Sequence, residues 1–200
     1  MRSPLIAAAL AGTLANVSSL SAQTTGTQSA PAPQPRWELL VSSGIVAPTG
    51  AQRETMKQGK LTAAQVSYVV RPSLALTAAL GWARSRDIAS VGDPKLDVFT
   101  YDVGAELRAP RLTAGKAISF SSFAGVGAGG RSYDYRSLDV DATHNAAAYG
   151  SVGGELGVRR IRLRVEARDY VSGFKPLNGE GTARTGNDVV LMAGLRFVRR

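Results

Sequence analysis

A two-faced pattern is clearest near the C-terminus, in Asp188-Val-Val-Leu-Met-Ala-Gly-Leu-Arg-Phe-Val198. Apolar residues stand at every second position of this stretch, from Val189 to Phe197, whereas the positions between them include the charged residues Asp188 and Arg196. Successive side chains of a β-strand point to opposite faces. The stretch therefore predicts a strand with one wholly apolar face and one face that also accepts charge.

The same pattern recurs through the chain in segments of about ten residues, which is the strand length that crosses a bilayer in membrane barrels. Eight strands are predicted, at 37–47, 61–71, 73–84, 97–109, 117–130, 145–158, 161–171 and 187–199. Eight is the smallest number usual for a closed membrane barrel. The pattern thus predicts an all-β fold, an eight-stranded antiparallel up-and-down transmembrane β-barrel.

The connections between these segments alternate in length. Short turns are predicted at Arg71-Pro72, at Pro110 to Lys116 and at Arg159-Arg160. Longer polar connections are predicted at 48–60, 85–96, 131–144 and 172–186. Short turns at one rim and long loops at the other are typical of outer-membrane barrels, with the short turns on the periplasmic side.

Charged residues alternate with apolar ones in several segments, most clearly in 97–109 and 161–171. In a membrane barrel the apolar face meets lipid and the charged face lines the interior. Ten residues are accordingly predicted to point into the lumen as a charge network: Glu38, Asp102, Glu106, Arg108, Glu155, Arg162, Arg164, Glu166, Arg168 and Arg196. Because buried charges must pair, we interpret them as a salt-bridged plug, and the alternative is an Arg-rich constriction that passes small anions.

Periodicity alone does not separate a membrane barrel from a soluble, lipocalin-like barrel, in which the apolar face would be inside. Three observations favour the membrane: the unequal loops, an apolar face rich in Ala and Gly in 146–154, and aromatic residues near strand ends. These aromatic residues are predicted to form a girdle at the membrane interface: Trp37, Trp82, Tyr101, Tyr133, Tyr135, Tyr149 and Tyr170.

Residues 1–22 predict a cleaved signal peptide. Arg2 supplies the positive charge, Leu5 to Leu14 the apolar run, and Leu20-Ser-Ala22 a cleavage site. Residues 23–36 contain three prolines and few residues to bury, which predicts a disordered leader before the barrel domain of 37–200. The protein is therefore expected in the cell outer membrane.

The composition excludes some functions. The chain has no cysteine, so disulfides and thiolate metal sites are excluded. The net charge is +9, and removal of Arg2 with the signal peptide leaves 9 − 1 = +8. Basic residues are spread singly along strands and turns rather than along a helix, which argues against a nucleic-acid partner. Anionic lipid headgroups and the barrel interior are the expected neighbours of these charges.

From Trp37 to Arg200 the alternation and the unequal loops make the chain resemble the small outer-membrane β-barrel family, of the OmpA-transmembrane, OmpX and OmpW type. The resemblance implies a monomer among outer-membrane lipids and lipopolysaccharide. It also implies recognition of the C-terminal strand by the barrel assembly machinery. Members of the family typically end on an aromatic residue, whereas here Phe197 is followed by Val198-Arg199-Arg200.

Three motifs could carry chemistry. The run Gly125-Val-Gly-Ala-Gly-Gly130 matches a dinucleotide fingerprint literally, but no helix is predicted to follow it, so we interpret its glycines as strand residues that leave room inside a narrow barrel. The sole histidine, His144, would need a nucleophile such as Ser151 to act on lipid. Asp139-Val-Asp141 resembles only the start of a calcium loop.

None of these motifs is complete, so no catalytic residue, cofactor or metal ion is predicted. The expected function is a structural or surface-interaction role in the outer membrane. The alternatives, in order, are a narrow pore for small anions, a lipid-A-modifying barrel enzyme and a soluble lipocalin-like binder. Family membership implies fold and location, and does not choose among these roles.

Overall fold

The computed structural model describes residues 37–114, 118–136, 138–158, 161–174 and 184–198. The predicted signal peptide and leader lie outside these residues. The described chain forms nine strands: β1 (Trp37–Thr49), β2 (Gly59–Arg71), β3 (Leu74–Arg86), β4 (Lys95–Arg108), β5 (Leu112–Ala114), β6 (Ile118–Tyr135), β7 (Thr143–Val158), β8 (Ile161–Phe174) and β9 (Arg184–Val198).

The eight long strands close into a barrel. Neighbours in sequence pair antiparallel, β1 pairs with β9, and β4 pairs directly with β6, which completes the ring. The short strand β5 is not part of the ring. It forms a hairpin with the first residues of β6, at the end of that strand where β4 no longer pairs with it. The prediction of an eight-stranded antiparallel barrel is confirmed.

The outside of the barrel is apolar. Side chains such as Leu80, Val103, Val126 and Leu107 are more than 60% exposed, while the charged residues Asp102, Glu106 and Arg131 of the same strands are buried inside. In water such a surface would be unstable, and hydrocarbon is the medium that suits it. The soluble alternative, with the apolar face inside, is therefore wrong.

Several strands extend further toward the long loops than the sequence predicts. The largest difference is in β6, whose predicted end at 130 is wrong because the strand continues to Tyr135. The connection predicted as a short turn from Pro110 to Lys116 contains β5. Beyond the hydrocarbon the outer face of a strand meets water, so polar residues stand on both faces and the contrast that marks the strand in the sequence is lost.

Only part of the predicted aromatic girdle lies outside. Trp37 and Trp82 face outward, and the ring of Trp82 stacks on Phe99 at a centroid distance of 6.4 Å. Tyr101 is also outward, at 44% exposed. Four tyrosines predicted for the girdle are instead buried inside the barrel: Tyr133, Tyr135, Tyr149 and Tyr170. Each occupies an inward position of its strand, and that parity outweighs its nearness to a strand end.

The loop end of the barrel is partly covered by the connection between β1 and β2. A 3-10 helix, Gly50–Glu54, begins this connection, and it is followed by Met56, which is 2% exposed and bridges to Asp87. The side chain of Gln52 is buried beside Gly186 of β9. Among the described residues, no helix is long and apolar enough to cross a bilayer.

Candidate functional site: the barrel interior

The ten residues of the predicted charge network all turn their side chains into the lumen, where they form one set of contacts that we call the ionic layer. None of these side chains is more than 10% exposed. Five arginines meet five carboxylates, so the formal charges within the layer cancel. Its members are Glu38, Asp102, Glu106, Arg108, Glu155, Arg162, Arg164, Glu166, Arg168 and Arg196.

Arg164 of β8 contacts three carboxylates of the layer. Its guanidinium lies 2.6 Å from a carboxylate oxygen of Glu106, 2.9 Å from Glu155 and 2.8 Å from Glu166. Glu106 is on β4, which is not a neighbour of β8 in the ring, so this contact crosses the lumen. An ion pair of this kind fills the middle of the barrel rather than its wall.

Arg196 of β9 shares two of these acids, Glu106 and Glu155, and also contacts Glu38. Its Nη1 atom lies 2.9 Å from Glu155, 3.1 Å from Glu38 and 3.5 Å from Glu106. The Arg196 residue is 0% exposed. Because Glu106 and Glu155 each contact both Arg164 and Arg196, removal of one arginine would leave these acids only partly compensated.

Arg168 closes the loop-side edge of the layer. Its Nε donates to Glu166 at 2.5 Å and its Nη2 donates to the side-chain oxygen of Gln65 on β2 at 2.6 Å. Tyr170 donates to Asp102 at 2.5 Å, beside the same guanidinium. Each of these three donors has an acceptor on another residue, as buried polar groups require.

Aromatic rings cover two of the guanidinium planes. The central carbon of Arg164 lies 3.3 Å from the ring centroid of Phe123, and that of Arg168 lies 4.8 Å from Tyr149. Cations attract the negative face of an aromatic ring, and the attraction is stronger where water is excluded. The layer is therefore held by both ion pairs and stacking.

The short-turn end of the layer opens into a cavity of about 320 Å³. Three guanidiniums line it, from Arg108, Arg111 and Arg162, together with Ser73 and Ser121. Arg108 is held tightly, at 2.8 Å from Glu38, whereas the contacts of Arg162 with Glu155 and Glu38 are 3.6 and 3.9 Å long. Arg111 is exposed and is not a member of the layer, so it adds positive charge at this mouth.

The loop half of the interior is different and forms what we call the loop-end core. It is a cluster of buried apolar and aromatic side chains: Val46, Met56, Leu61, Ala83, Leu96, Val98, Tyr133, Tyr135, Ala147, Tyr149, Tyr170, Phe174, Val190 and Met192. The rings of Tyr133 and Phe174 are 4.8 Å apart. A cavity of about 20 Å³ between this core and the ionic layer has room for about one water molecule.

One buried ion pair outside the ionic layer was not predicted from the sequence. Arg131 of β6 pairs with Asp188 of β9 across the loop-end core, and both residues are 0% exposed. The guanidinium also lies 4.3 Å from the ring centroid of Tyr170. The parity of β6 could have indicated this, because Arg131 has the same parity as Gly125, Gly127 and Gly129, but the predicted strand ended one residue before it.

The motifs of the sequence do not form a catalytic site with one another. His144 is exposed on the outer face of β7, whereas Ser151 is buried on the inner face of the same strand. The two side chains point to opposite sides of the wall and cannot meet. The glycine run lies within β6, which continues to Tyr135, so a strand follows the motif in place of the helix that a nucleotide site would need. The ring of Tyr149 covers Gly127.

In the comparisons with known proteins, no protein-family model matches the chain and no curated protein matches it. Solved structures do match. A crystal structure of Neisserial surface protein A (NspA) is similar with a TM-score of 0.58 at 10% identity, covering 84% of this chain and 100% of that one. The outer membrane protein AlkL, determined in lipid bilayers by solid-state NMR, has a TM-score of 0.50 at 15% identity and covers 90% of this chain and 97% of its own.

A third similar structure is the outer membrane enzyme PagL, with a TM-score of 0.40 at 13% identity and coverage of 78% of this chain and 97% of that one. At these identities the likeness to NspA and AlkL shows the fold alone. The chain has the fold of the small outer-membrane β-barrels. Function has to be argued from its own residues, because one fold carries many functions.

Proposed function

We propose that the protein is an integral outer-membrane β-barrel with a structural or surface-interaction role and without catalytic activity. The ionic layer is the observation that carries the proposal. Five arginines and five carboxylates neutralise one another there, and contacts such as Arg164–Glu106 cross a lumen that at eight strands is just wide enough for side chains. A lumen filled by paired charges supports the barrel mechanically and holds its strands in register.

The proposal includes export through the predicted signal peptide and an orientation with the short turns in the periplasm and the long loops outside. Outer-membrane lipids and lipopolysaccharide are the proposed neighbours of the apolar belt. Phe197, exposed on the outer face of β9 near its end, is the proposed contact for the barrel assembly machinery. Each proposed partner thus corresponds to a surface of the monomeric barrel.

Two measurements test this proposal. The mature chain is first folded into detergent micelles or lipid vesicles, and its electrophoretic mobility is compared with and without boiling. We expect a shift that depends on boiling and β-rich circular dichroism only when amphiphile is present. A chain that folds in plain buffer, with no shift, would contradict the membrane part of the proposal.

Conductance in planar bilayers is the second measurement. A lumen filled by the ionic layer predicts no channel events above the background of the empty bilayer. As a positive control, Arg164→Ala with Glu106→Ala removes one ion pair that crosses the lumen and should produce small openings. Channels in the unaltered protein would contradict the closed lumen.

A narrow pore for small anions is the second candidate. The observation in its favour is the mouth at the short-turn end, where Arg108, Arg111 and Arg162 line one cavity. If the ionic layer rearranges to let solutes pass, the unaltered protein would show anion-selective conductance. That selectivity should fall in Arg111→Gln, because this side chain is exposed at the mouth and its loss leaves the ten members of the layer in place.

A further inference from the structure

Five of the described cations cluster on one side of the outer wall of the barrel. They lie at the loop ends of β2, β3, β4 and β6, on positions that face away from the lumen. We call this group the basic wall patch; its members are Lys60, Arg84, Arg86, Lys95 and Arg136. The described loop ends of β8 and β9 instead present Asp169, Val171, Asn187 and Val189 on their outer faces.

Strand register places these cations next to one another. Lys60 pairs with Arg84, and Arg84 pairs with Asp97. Arg86 pairs with Lys95, whose backbone oxygen accepts the backbone N–H of Arg136. Side chains directly opposite on one face of an antiparallel sheet are about 4.5–5.5 Å apart at Cβ. The patch is therefore contiguous.

The acids in the patch do not neutralise it. Asp97 of β4 forms an ion pair with Arg136. Asp134 of β6 is exposed opposite Asp97. Five cations less two carboxylates leave an excess of three positive charges. Like charges directly opposite destabilise a sheet, so this wall is suited to a neighbouring anion.

The residues below the patch are suited to an amphiphile. One step toward the membrane, Trp82 pairs with Phe99, and their rings stack with planes 6° apart. The guanidinium carbon of Arg84 lies 4.2 Å from the Trp82 ring centroid. Next comes the aliphatic belt, with Leu80 at 68% and Val103 at 66% exposure. Trp and Tyr mark the membrane interface in such proteins, so the patch lies at headgroup level.

We infer that the basic wall patch binds the phosphate groups of an outer-leaflet glycolipid of the lipid-A class, with its acyl chains along the belt below. This inference rests on the proposed outer-membrane location and names the lipid partner and its binding site. Guanidiniums form paired, charge-assisted hydrogen bonds with phosphate. The site has cations for the headgroup, aromatic rings for the interface and aliphatic side chains for the tails, in the order in which the lipid presents its own groups.

The test compares two matched double variants. Arg84→Gln with Arg86→Gln removes two cations from the patch, and Arg53→Gln with Arg71→Gln removes two exposed cations elsewhere. Each protein is folded in micelles, and its binding of bis-phosphorylated lipid A, of dephosphorylated lipid A and of phosphatidylglycerol is measured by native mass spectrometry. Heat modifiability is recorded for every sample.

A cation near an anionic membrane surface contributes about five-fold in affinity, so the patch double variant should bind bis-phosphorylated lipid A about 25-fold more weakly. The control double variant should bind as the unaltered protein does. Equal affinity of the unaltered protein for phosphorylated and dephosphorylated lipid would overturn the inference, and so would equal losses in both variants. If phosphatidylglycerol binds the unaltered protein as tightly as bis-phosphorylated lipid A does, and loses the same affinity in the patch double variant, the assignment to the glycolipid would be overturned. Absence of heat modifiability in the unaltered protein would instead contradict the proposed function.

Discussion

The ionic layer and the loop-end core fill the same barrel by opposite means. In the ionic layer, residues such as Arg164 and Glu106 meet across the lumen in direct ion pairs. In the loop-end core, residues such as Leu96 and Val98 pack with about 1% exposure or less, as in the interior of a soluble protein. The stability of the ionic layer thus depends on particular charged partners, and the stability of the loop-end core depends on how well its side chains fill the available volume.

The difference indicates how each half specifies the structure. An apolar contact is non-directional and tolerates substitution of similar volume. A buried charge is stable only beside its own partners, and its loss leaves an unpaired charge behind. We therefore expect the ionic layer to select one arrangement of the strands near the short turns, and the loop-end core to supply bulk stability under the long loops.

The largest expected effect is in the ionic layer. Arg164→Met leaves Glu106, Glu155 and Glu166 without their shared cation, and we expect it to lower the free energy of unfolding by about 3–5 kcal/mol. Urea titration of the protein folded in lipid vesicles, followed by tryptophan fluorescence, measures this loss. Arg71→Met removes an exposed arginine at the same end of the barrel and should change stability by less than about 0.5 kcal/mol. Similar losses in both variants would mean that the layer is not held by its ion pairs.

A smaller effect is expected in the loop-end core. Leu96 is 0% exposed, and Leu96→Ala should lower the free energy of unfolding by about 3 kcal/mol because it leaves a cavity. Leu112→Ala is the control, since this leucine on β5 is 69% exposed outside the ring. Leu96→Met keeps the volume and should recover most of the loss in the same urea titration. If Leu96→Met is as unstable as Leu96→Ala, the core depends on shape as strictly as the ionic layer depends on charge.

The smallest effect concerns Gly127, between the two halves. An added Cβ would lie 2.4 Å from the Tyr149 ring and 2.5 Å from the backbone oxygen of Val103. Gly127→Ala should therefore lower the free energy of unfolding by about 1–3 kcal/mol through overpacking. At Gly150 an added Cβ meets nothing within 4 Å, so Gly150→Ala should leave stability unchanged or slightly higher in the same assay. A neutral Gly127→Ala would show that the Tyr149 ring can move aside.

Much of the architecture could be predicted because the alternation of residue types within a single strand identifies its two faces. In β8 the alternation of Ile161, Leu163 and Val165 with Arg162 and Arg164 identifies both faces without knowledge of any other strand. The strand count follows from the number of such segments. Strand parity predicts that Tyr149 and Tyr170 point inward, whereas their nearness to strand ends predicts a place in the outer girdle, and in the structure both are buried.

The candidate site was predictable as a set of residues and not as a set of pairs. Parity alone placed the ten charges of the ionic layer inside the barrel. It could not place Arg164 of β8 against Glu106 of β4, because the two are 58 residues apart and lie on strands that are not neighbours in the ring. The pair Arg131–Asp188 is not predicted because the predicted strand 117–130 ends one residue before Arg131, although Asp188 lies within the clearest alternating stretch.

Local chemistry in the chain is thus enough for most strands, their faces and the strand number, since each follows from side chains one or two positions apart, and the unequal loop lengths add the medium. Closure of the ring and the stagger of its strands are properties of all the strands together. They set which charges meet across the lumen, how Tyr149 comes to cover Gly127, and how cations from β2, β3, β4 and β6 converge on one wall. These contacts join residues distant in sequence, so they exist only once the barrel has closed.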